Sequence, residues 1–237
     1  MVTVDIVIPV YNEENELSKS VSALHEFLRQ NMPSIAWRIV IVDNGSTDRT
    51  LYLARELAAH YPEVSYIHLD LKGRGRALRK AWLESTADIV SYMDVDLSTD
   101  LSYFPLLIGA IVHEGNDIAI GTRLSALSQT KRSFKREFLS KSYNLLLRAM
   151  FSVRFSDAQC GFKALSQRSA RDLVPLIQDQ FWFFDSELLI LAEKKGYRIK
   201  EIPIKWEEDP DTRVNVPRTI VAFIKGLIRL RLTRPWT

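Results

Sequence analysis

A chain of 237 residues that is 46% hydrophobic and 26% charged is long enough for one large core or two small ones, and too apolar to be disordered. Its net charge is only +3, but the positives cluster at Arg74, Arg76, Arg79 and Lys80, at Lys131, Arg132, Lys135 and Arg136, and at Arg229, Arg231 and Arg234. A single cysteine, Cys160, excludes an internal disulfide and a multi-cysteine zinc site, and the four histidines are scattered, so a reducing compartment is the simplest assumption.

The N-terminus shows no basic region ahead of a long apolar run, so no signal peptide is expected. No run reaches the roughly 18 apolar residues of a membrane-spanning helix. The β-branched run at 2–10 predicts a strand that ends in a polar turn. Leu17, Val21, Leu24 and Leu28 recur at helical spacing and predict a helix over 13–31. A second strand at 38–42 stops at Asp43-Asn44-Gly45-Ser46-Thr47-Asp48, a turn rich in capping residues. A helix at 49–59, a strand at 64–69, a helix at 75–85 and a strand at 88–93 follow. This alternation indicates βαβ units and a mostly parallel sheet flanked by helices, an α/β, Rossmann-like layer.

Beyond residue 96 the pattern is more mixed. A helix is expected at 101–113, a strand at 117–121 and a polar, basic mobile loop at 125–136. Then come a helix at 137–150, a short strand at 162–165, helices at 168–177 and 185–195, a strand at 197–206 and a charged loop at 207–215. Residues 217–232 form an amphipathic segment, with Ile220, Phe223, Ile224, Leu227 and Ile228 on one side and Lys225, Arg229 and Arg231 available to the other. No repeat or clean boundary divides the chain. Residues 1–216 are therefore read as one domain, with a nucleotide-binding half at 1–96 and a second half at 97–216, followed by a basic amphipathic segment at 217–237.

The strand at 88–93 delivers Asp94 and Asp96 at its C-terminal end, where open α/β sheets bind ligands. Two hard oxygen anions there suit magnesium or manganese, often with a phosphorylated ligand, although a solvated turn would contain the same triplet. Asp43 closes the second strand; it serves the turn and is also placed to accept hydrogen bonds from a nucleobase or ribose. Lys72-Gly73-Arg74-Gly75-Arg76 precedes a helix but lacks the third glycine and acidic partner of a dinucleotide fingerprint, which excludes a Rossmann dehydrogenase. The loop suits a diphosphate through Lys72, Arg76 and backbone N–H groups, or is a turn before a basic helix face. Asp157 is a surface carboxylate, a cap or a functional acid, and Phe181-Trp182-Phe183-Phe184-Asp185 is either core with Asp185 as helix cap or an aromatic wall whose acid holds sugar hydroxyls.

Seven segments in order carry a resemblance over nearly the whole chain: Ile8-Pro9-Val10-Tyr11-Asn12-Glu13-Glu14, Val42-Asp43-Asn44-Gly45-Ser46-Thr47-Asp48, Asp94-Val95-Asp96, Gly121-Thr122-Arg123, Asp157-Ala158-Gln159-Cys160-Gly161-Phe162-Lys163, Phe184-Asp185-Ser186-Glu187 and Ile202-Pro203-Ile204-Lys205-Trp206. The chain resembles family 2 glycosyltransferases of the GT-A fold, and more closely the dolichyl- or polyprenyl-phosphate hexose synthases. The resemblance implies that Pro9, Tyr11, Glu13 and Asp43 hold the base and ribose of a nucleotide sugar. It implies that Asp94 and Asp96 hold a divalent cation and the diphosphate. Arg123 would face the phosphates or the acceptor, and Arg213 would lie on a loop that closes over the diphosphate. Ser98 stands where several relatives carry glutamine, so a third metal ligand does not carry over.

The implied reaction is an inverting, metal-dependent transfer of a hexose to a polyprenyl or dolichyl phosphate. The segments at 157–163 and 181–185 look more like the glucosyl branch than the mannosyl one, so UDP-glucose is expected ahead of GDP-mannose. A phosphate acceptor, with a second pKa of about 6, needs cations more than a base. Arg123, Lys131, Arg132, Lys135, Arg136 and Lys163 are the candidates, with Asp185 beside them, and Asp157 is the base if one is used or else orients the arginines. The amphipathic C-terminal helix suits the cytoplasmic face of a membrane, or packing on the catalytic core or a dimer contact. Partners expected are the nucleotide sugar, the lipid phosphate, the membrane surface and a possible second copy, with no nucleic acid. Rival readings are a soluble saccharide acceptor, a non-catalytic nucleotide-sugar-binding subunit, and a nucleotidyltransferase, the last weakened by the acidic first loop.

Overall fold

The computed structural model of the protein describes residues 1–207 and 216–236. Strand β1 (Thr3–Val10) lies in the interior of a seven-stranded sheet and is buried on both faces, which is why its sequence is a near-continuous apolar run. Helix α1 (Leu17–Asn31), strand β2 (Ala36–Asp43), helix α2 (Thr50–His60), strand β3 (Val64–His68), helix α3 (Arg74–Glu84) and strand β4 (Ile89–Met93) follow. β1 pairs in parallel with β2 and with β4, and β2 pairs in parallel with β3. After a 3₁₀ turn at Leu101–Tyr103, capped by the Asp100 carboxylate, come helix α4 (Phe104–Val112) and strand β5 (Ile118–Thr122). The chain continues through β6 (Gln129–Lys131), α5 (Phe134–Phe151), β7 (Phe162–Ser166), α6 (Gln167–Leu173), α7 (Phe184–Lys194), β8 (Ile199–Pro203), β9 (Lys205–Glu207) and α8 (Val216–Thr233).

The large sheet runs β3-β2-β1-β4-β7-β5-β8, with β7 antiparallel to both neighbours. β5 and β8 are parallel. This order brings the ends of β1, β2, β4 and β5 and the start of β7 to one edge: Val10 lies opposite Asp43, Met93 opposite Phe162 and Thr122 opposite Pro203. Alternation along the strands splits the core in two. Val7, Val40, Val42 and Tyr92 face α3, α7 and α8, while Ile6, Ile8, Ile39 and Ile41 face α1, α2 and α4.

Three expectations are corrected. The mobile loop at 125–136 contains β6, which pairs in parallel with β9, and α5 already begins at Phe134. Polar side chains hid this two-stranded sheet because its residues are largely exposed. The strand expected at 197–206 is two strands broken at Ile204, whose N–H bonds Thr122 O while its carbonyl accepts Gln129 N–H. The helix expected from residue 13 starts at Leu17, since residues 13–16 form a turn closed by Leu17 N–H on the Glu13 carbonyl. The charged loop expected at 207–215 lies outside the described residues after Glu207.

Candidate active site

The converging strand ends open into a cleft of about 1380 Å³. Pro9, Tyr11 and Glu13 line one side with Asn44 and Lys72; Asp94 and Asp96 lie at the centre with Arg74; Arg123, Arg136, Lys205 and Trp206 lie opposite. Phe181, Trp182 and Phe183, with Thr219, Ala222 and Phe223 of α8, complete the wall.

On the first side, the Lys72 ammonium sits 3.5 Å from the centre of the Tyr11 ring, a cation–π contact. Asn12, in the left-handed region at φ 56°, ties this loop to the turn after β2. Its N–H donates to Ser46 Oγ at 3.0 Å, and Thr47 N–H donates to Asn12 Oδ1 at 2.8 Å. Glu13 N–H donates to Thr50 Oγ1 at 2.7 Å. The acidic first motif and the capping turn are therefore one hydrogen-bonded unit. Asp43, expected to face the nucleoside, is fully buried; Oδ2 lies 2.7 Å from His68 Nδ1 and Oδ1 accepts Ser46 N–H. Asn44, one residue on, is the group that reaches the cleft. Arg76 donates to the Lys72 carbonyl at 2.7 Å, which shapes the loop from beneath.

At the centre, Asp94 Oδ1 accepts from Arg74 Nη2 at 2.8 Å. Asp96 is exposed and Oδ1 accepts Ser98 N–H at 3.0 Å. Partial burial raises the Asp94 carboxyl above the usual carboxylate range; Arg74 opposes this and Asp96 adds to it. A Cβ on Gly161 would lie 1.8 Å from Asp94 Oδ2, so glycine there leaves the space that the carboxylate occupies. Two hard carboxylates at the rim, one in a glycine-lined recess, fit a divalent cation of the magnesium or manganese type. Among the described residues no group of three or more His, Cys, Asp or Glu could hold a metal by itself. Such an ion would draw further ligands from phosphate and water, as magnesium commonly does.

Arg74, at the first turn of α3, is the main residue that sequence reasoning left out of the site. Its guanidinium lies 4.9 Å from the Tyr92 ring centre and 4.8 Å from that of Trp182. Burial opposes its charge, but Asp94, with Tyr92 and Asp185, holds it protonated. The glycines around Arg74 drew attention to backbone N–H groups, and nothing in the spacing linked it to Asp94. Trp182 lines the cleft as the aromatic wall expected there, and Asn44, Lys205, Trp206 and Phe223, for which the sequence suggests no role at the site, line it as well.

Opposite, Arg123 forms a two-pronged pair with Asp157: Nε to Oδ2 at 2.8 Å and Nη2 to Oδ1 at 2.9 Å, with the Arg123 backbone N–H also on Oδ2 at 3.0 Å. Burial pushes the Asp157 carboxyl up, but Arg123 outweighs it and holds the group below the ordinary value. Asp157 is fully buried and both oxygens are engaged, so it orients Arg123 and is not placed as a base. Arg123 also stacks 5.3 Å from the Trp206 ring centre.

Lys163 and Asp185, expected at the acceptor, lie under the edge instead. Both are buried, with Lys163 Nζ 2.9 Å from Asp185 Oδ1, and Tyr92 Oη donates to the same oxygen. Their alternation within the strand and helix turned them inward. Lys131 is exposed on β6 and pairs with Glu207 at 3.3 Å, and Lys135 is exposed at the start of α5; neither lines the cleft, nor does Arg132, whereas Arg136 does. Arg213 lies outside the described residues.

The apolar side expected on α8 is divided. Leu227 and Leu230 are buried and Phe223 packs against Phe183 and Tyr143, while Ile220, Ile224 and Ile228 are exposed. Arg229 donates to Glu187 of α7, anchoring the helix. Among the described residues no helix is long and apolar enough to cross a membrane.

A family model described as "Glycosyl transferase family 2" matches residues 5–174. Glycosyltransferase AglD of Haloferax volcanii is 33% identical over 229 residues, which cover 96% of this chain and 37% of that protein. The dolichyl-phosphate beta-glucosyltransferase of Saccharomyces cerevisiae is 29% identical over 247 residues, covering 96% of this chain and 73% of that protein. The fold superposes on glucosyl-3-phosphoglycerate synthase of Mycobacterium tuberculosis, solved with Mn2+, UDP and phosphoglyceric acid, with a TM-score of 0.72 at 19% identity over 98% of this chain and 78% of that one.

Proposed function

This chain belongs to glycosyl transferase family 2, and on that premise we propose that it transfers glucose from UDP-glucose to a polyprenyl phosphate with inversion, using a divalent cation. One observation carries the reading: a carboxylate pair suited to a cation and a rim of arginine and lysine share one cleft, and that cleft is walled by α8, whose outer face is apolar. The relatives named dolichyl-phosphate beta-glucosyltransferases favour glucose as the sugar and a lipid phosphate as the acceptor, and a β-product from an α-linked nucleotide sugar is a single inversion.

Tyr11, Asn44 and Lys72 bind the nucleoside end and the first phosphate, with Asp43 held by His68 to brace the turn from beneath. Asp94 and Asp96 hold the cation. When bound, it neutralises the charge that builds on the leaving diphosphate. Lys72 supplies a further positive charge to the same oxygens. An acceptor phosphate is largely dianionic at neutral pH, with a second pKa of about 6, and attacks without losing a proton to the protein. Arg123, fixed by Asp157 and Trp206, docks it together with Arg136 and Lys205. A sugar-hydroxyl acceptor would need a base, and the carboxylate best placed in sequence for that role is occupied by Arg123.

The exposed Ile220, Ile224 and Ile228 of α8 lie with Lys225 on a surface suited to lipid headgroups and acyl chains, which supports a position at the cytoplasmic face of a membrane. Phe134 and Phe138 of α5 add exposed apolar area. The test is incubation with UDP-glucose or GDP-mannose, Mn2+ and a short polyprenyl phosphate, followed by mass measurement of the lipid. A glucosyl-phosphate-lipid is expected. Glycosylation of a free saccharide with the lipid phosphate inert, or no transfer from any nucleotide sugar despite tight binding, overturns the proposal.

A further inference from the structure

The divalent-cation site already holds a positive charge of the protein's own. Arg74 Nη2 sits 2.8 Å from Asp94 Oδ1, on the carboxylate that a metal would need. The same guanidinium has a second carboxylate within reach: Nη1 is 3.4 Å from Asp185 Oδ2. Among the described residues, Asp185 Oδ2 and Arg74 Nε are both buried without a hydrogen-bond partner. Buried polar atoms left unmatched are costly, and a small turn of the guanidinium would bring Nη1 from 3.4 Å into full hydrogen-bond range of Asp185 Oδ2.

The surroundings permit that turn. The guanidinium lies over both the Tyr92 and Trp182 rings, at 4.9 and 4.8 Å from their centres, so two aromatic faces support its charge near either carboxylate. Gly161 offers no side chain on the Asp94 side, and a Cβ there would come within 3.0 Å of Arg74 Nη2. The receiving seat is rigid, because Lys163 and Tyr92 hold Asp185 Oδ1 from behind. The seat at Asp94 is looser, its side chain 44% exposed against 1% for Asp185.

We propose that Arg74 is a resident counter-cation of the metal site: it neutralises Asp94 until a divalent ion arrives, then turns onto Asp185 and frees Asp94 for the ion. This rests on Asp94 and Asp96 being the cation site. Arg74 is a positioning residue here, and Asp185 is its second seat. The exchange makes cation binding weak without the donor, because the ion must displace a paired arginine and then sit beside it. A diphosphate offsets that repulsion, so ion and nucleotide bind cooperatively.

The experiment is a Mn2+ titration of the full chain, read by the electron paramagnetic resonance of free Mn2+, with and without UDP. Without nucleotide, Arg74→Gln is expected to bind Mn2+ roughly tenfold more tightly than the unaltered protein, within the range for coupled charges. Asp185→Asn is expected to weaken binding when Arg74 is present and to leave it unchanged in the Arg74→Gln background. A simple loss of negative field would act equally in both backgrounds. Thermal melts check folding, and if Asp185→Asn does not fold, Lys163→Met with Asp185→Asn replaces it, since removing both members of a buried ion pair is tolerated better than removing one. Affinity in Arg74→Gln within about twofold of the unaltered protein, or an equal effect of the Asp185 change in both backgrounds, overturns the proposal. If neither Asp94→Asn nor Asp96→Asn alters Mn2+ binding with UDP present, the cation-site reading itself has failed, and this proposal falls with it.

Discussion

Replacing Gly161 by alanine adds one methyl group at the place where the structure has least room for it. The new Cβ would lie 1.8 Å from Asp94 Oδ2 and 2.5 Å from Asp94 Cγ. Asp94 must then shift by roughly an ångström, a misplacement that costs on the order of 10²-fold in turnover, or about 2.7 kcal/mol of barrier. The fold should survive. Gly161 is not among the glycines in the left-handed region, and the atoms displaced are the end of a half-exposed side chain. Glycine-to-alanine at a compatible position restricts the unfolded chain and adds about 0.4–1 kcal/mol of stability, which offsets part of the crowding. The expected result is a melting temperature within a few degrees of the unaltered protein, weaker Mn2+ binding, and kcat/KM for glucosyl transfer to a polyprenyl phosphate down by about two orders of magnitude. Turnover within about threefold of the unaltered enzyme would refute the placement of Asp94 at the reacting phosphates. So would a variant that loses its fold while its residual folded fraction keeps full activity.

Asp157→Asn leaves the buried Arg123 without its counter-charge and should destabilise the protein by roughly 3 kcal/mol in denaturant titrations at pH 7. The Asp157 pKa is depressed in the folded state, so its contribution is present above the unfolded value of about 3.9 and is lost as pH falls through the lower folded value. The gap between variant and unaltered protein should therefore close in melts taken below that pH; a gap constant from pH 7 to 3 would contradict the ion-pair account. Burial pushes the Cys160 thiol up to about 12, so iodoacetamide at pH 8 should leave it unmodified in the native protein and alkylate it fully in denaturant. Ile224→Asp with Ile228→Asp should lower binding to anionic vesicles by at least roughly tenfold in sedimentation while leaving UDP affinity unchanged. Equal vesicle binding would assign the exposed face of α8 to another role.

The first half of the fold was legible because β1, β4 and the end of β2 are buried apolar runs, β3 is a short β-branched and aromatic run, and the helices between them are amphipathic. β6 and β9 were not legible: a three-residue pair with exposed polar side chains has no pattern to show, and its pairing is set by the chain turning at Ile204. In the site, Asp94 and Asp96 could be placed at the ligand edge because they follow a strand end, and Tyr11, Glu13 and Arg123 through the motifs that carry the family resemblance. Lys163 and Asp185 could not be sorted from solvent-facing groups, since a buried ion pair is formed by residues distant in sequence and nothing local marks it. Arg74 was hidden for the same reason: twenty positions separate it from Asp94, and only the sheet order brings them together.

The pairing of Arg123 with Asp157 bears on the acceptor more than any motif does. A catalytic base needs an oxygen that faces the nucleophile and a pKa near the working pH. Asp157 has neither: it is held below the ordinary carboxylate value and faces a guanidinium on both oxygens. What this arrangement secures is the direction of Arg123, clamped between a carboxylate and the face of Trp206, in the cleft that Tyr11, Asn44 and Asp94 also line. A fixed cation there is useful to an acceptor that arrives as an anion and of little use to a neutral hydroxyl. Under the proposed function the charge pattern would divide the cleft: Asp94 and Asp96 would gather a cation, and Arg123, Arg136 and Lys205 an anion. A phosphate-bearing acceptor is the one that needs both halves.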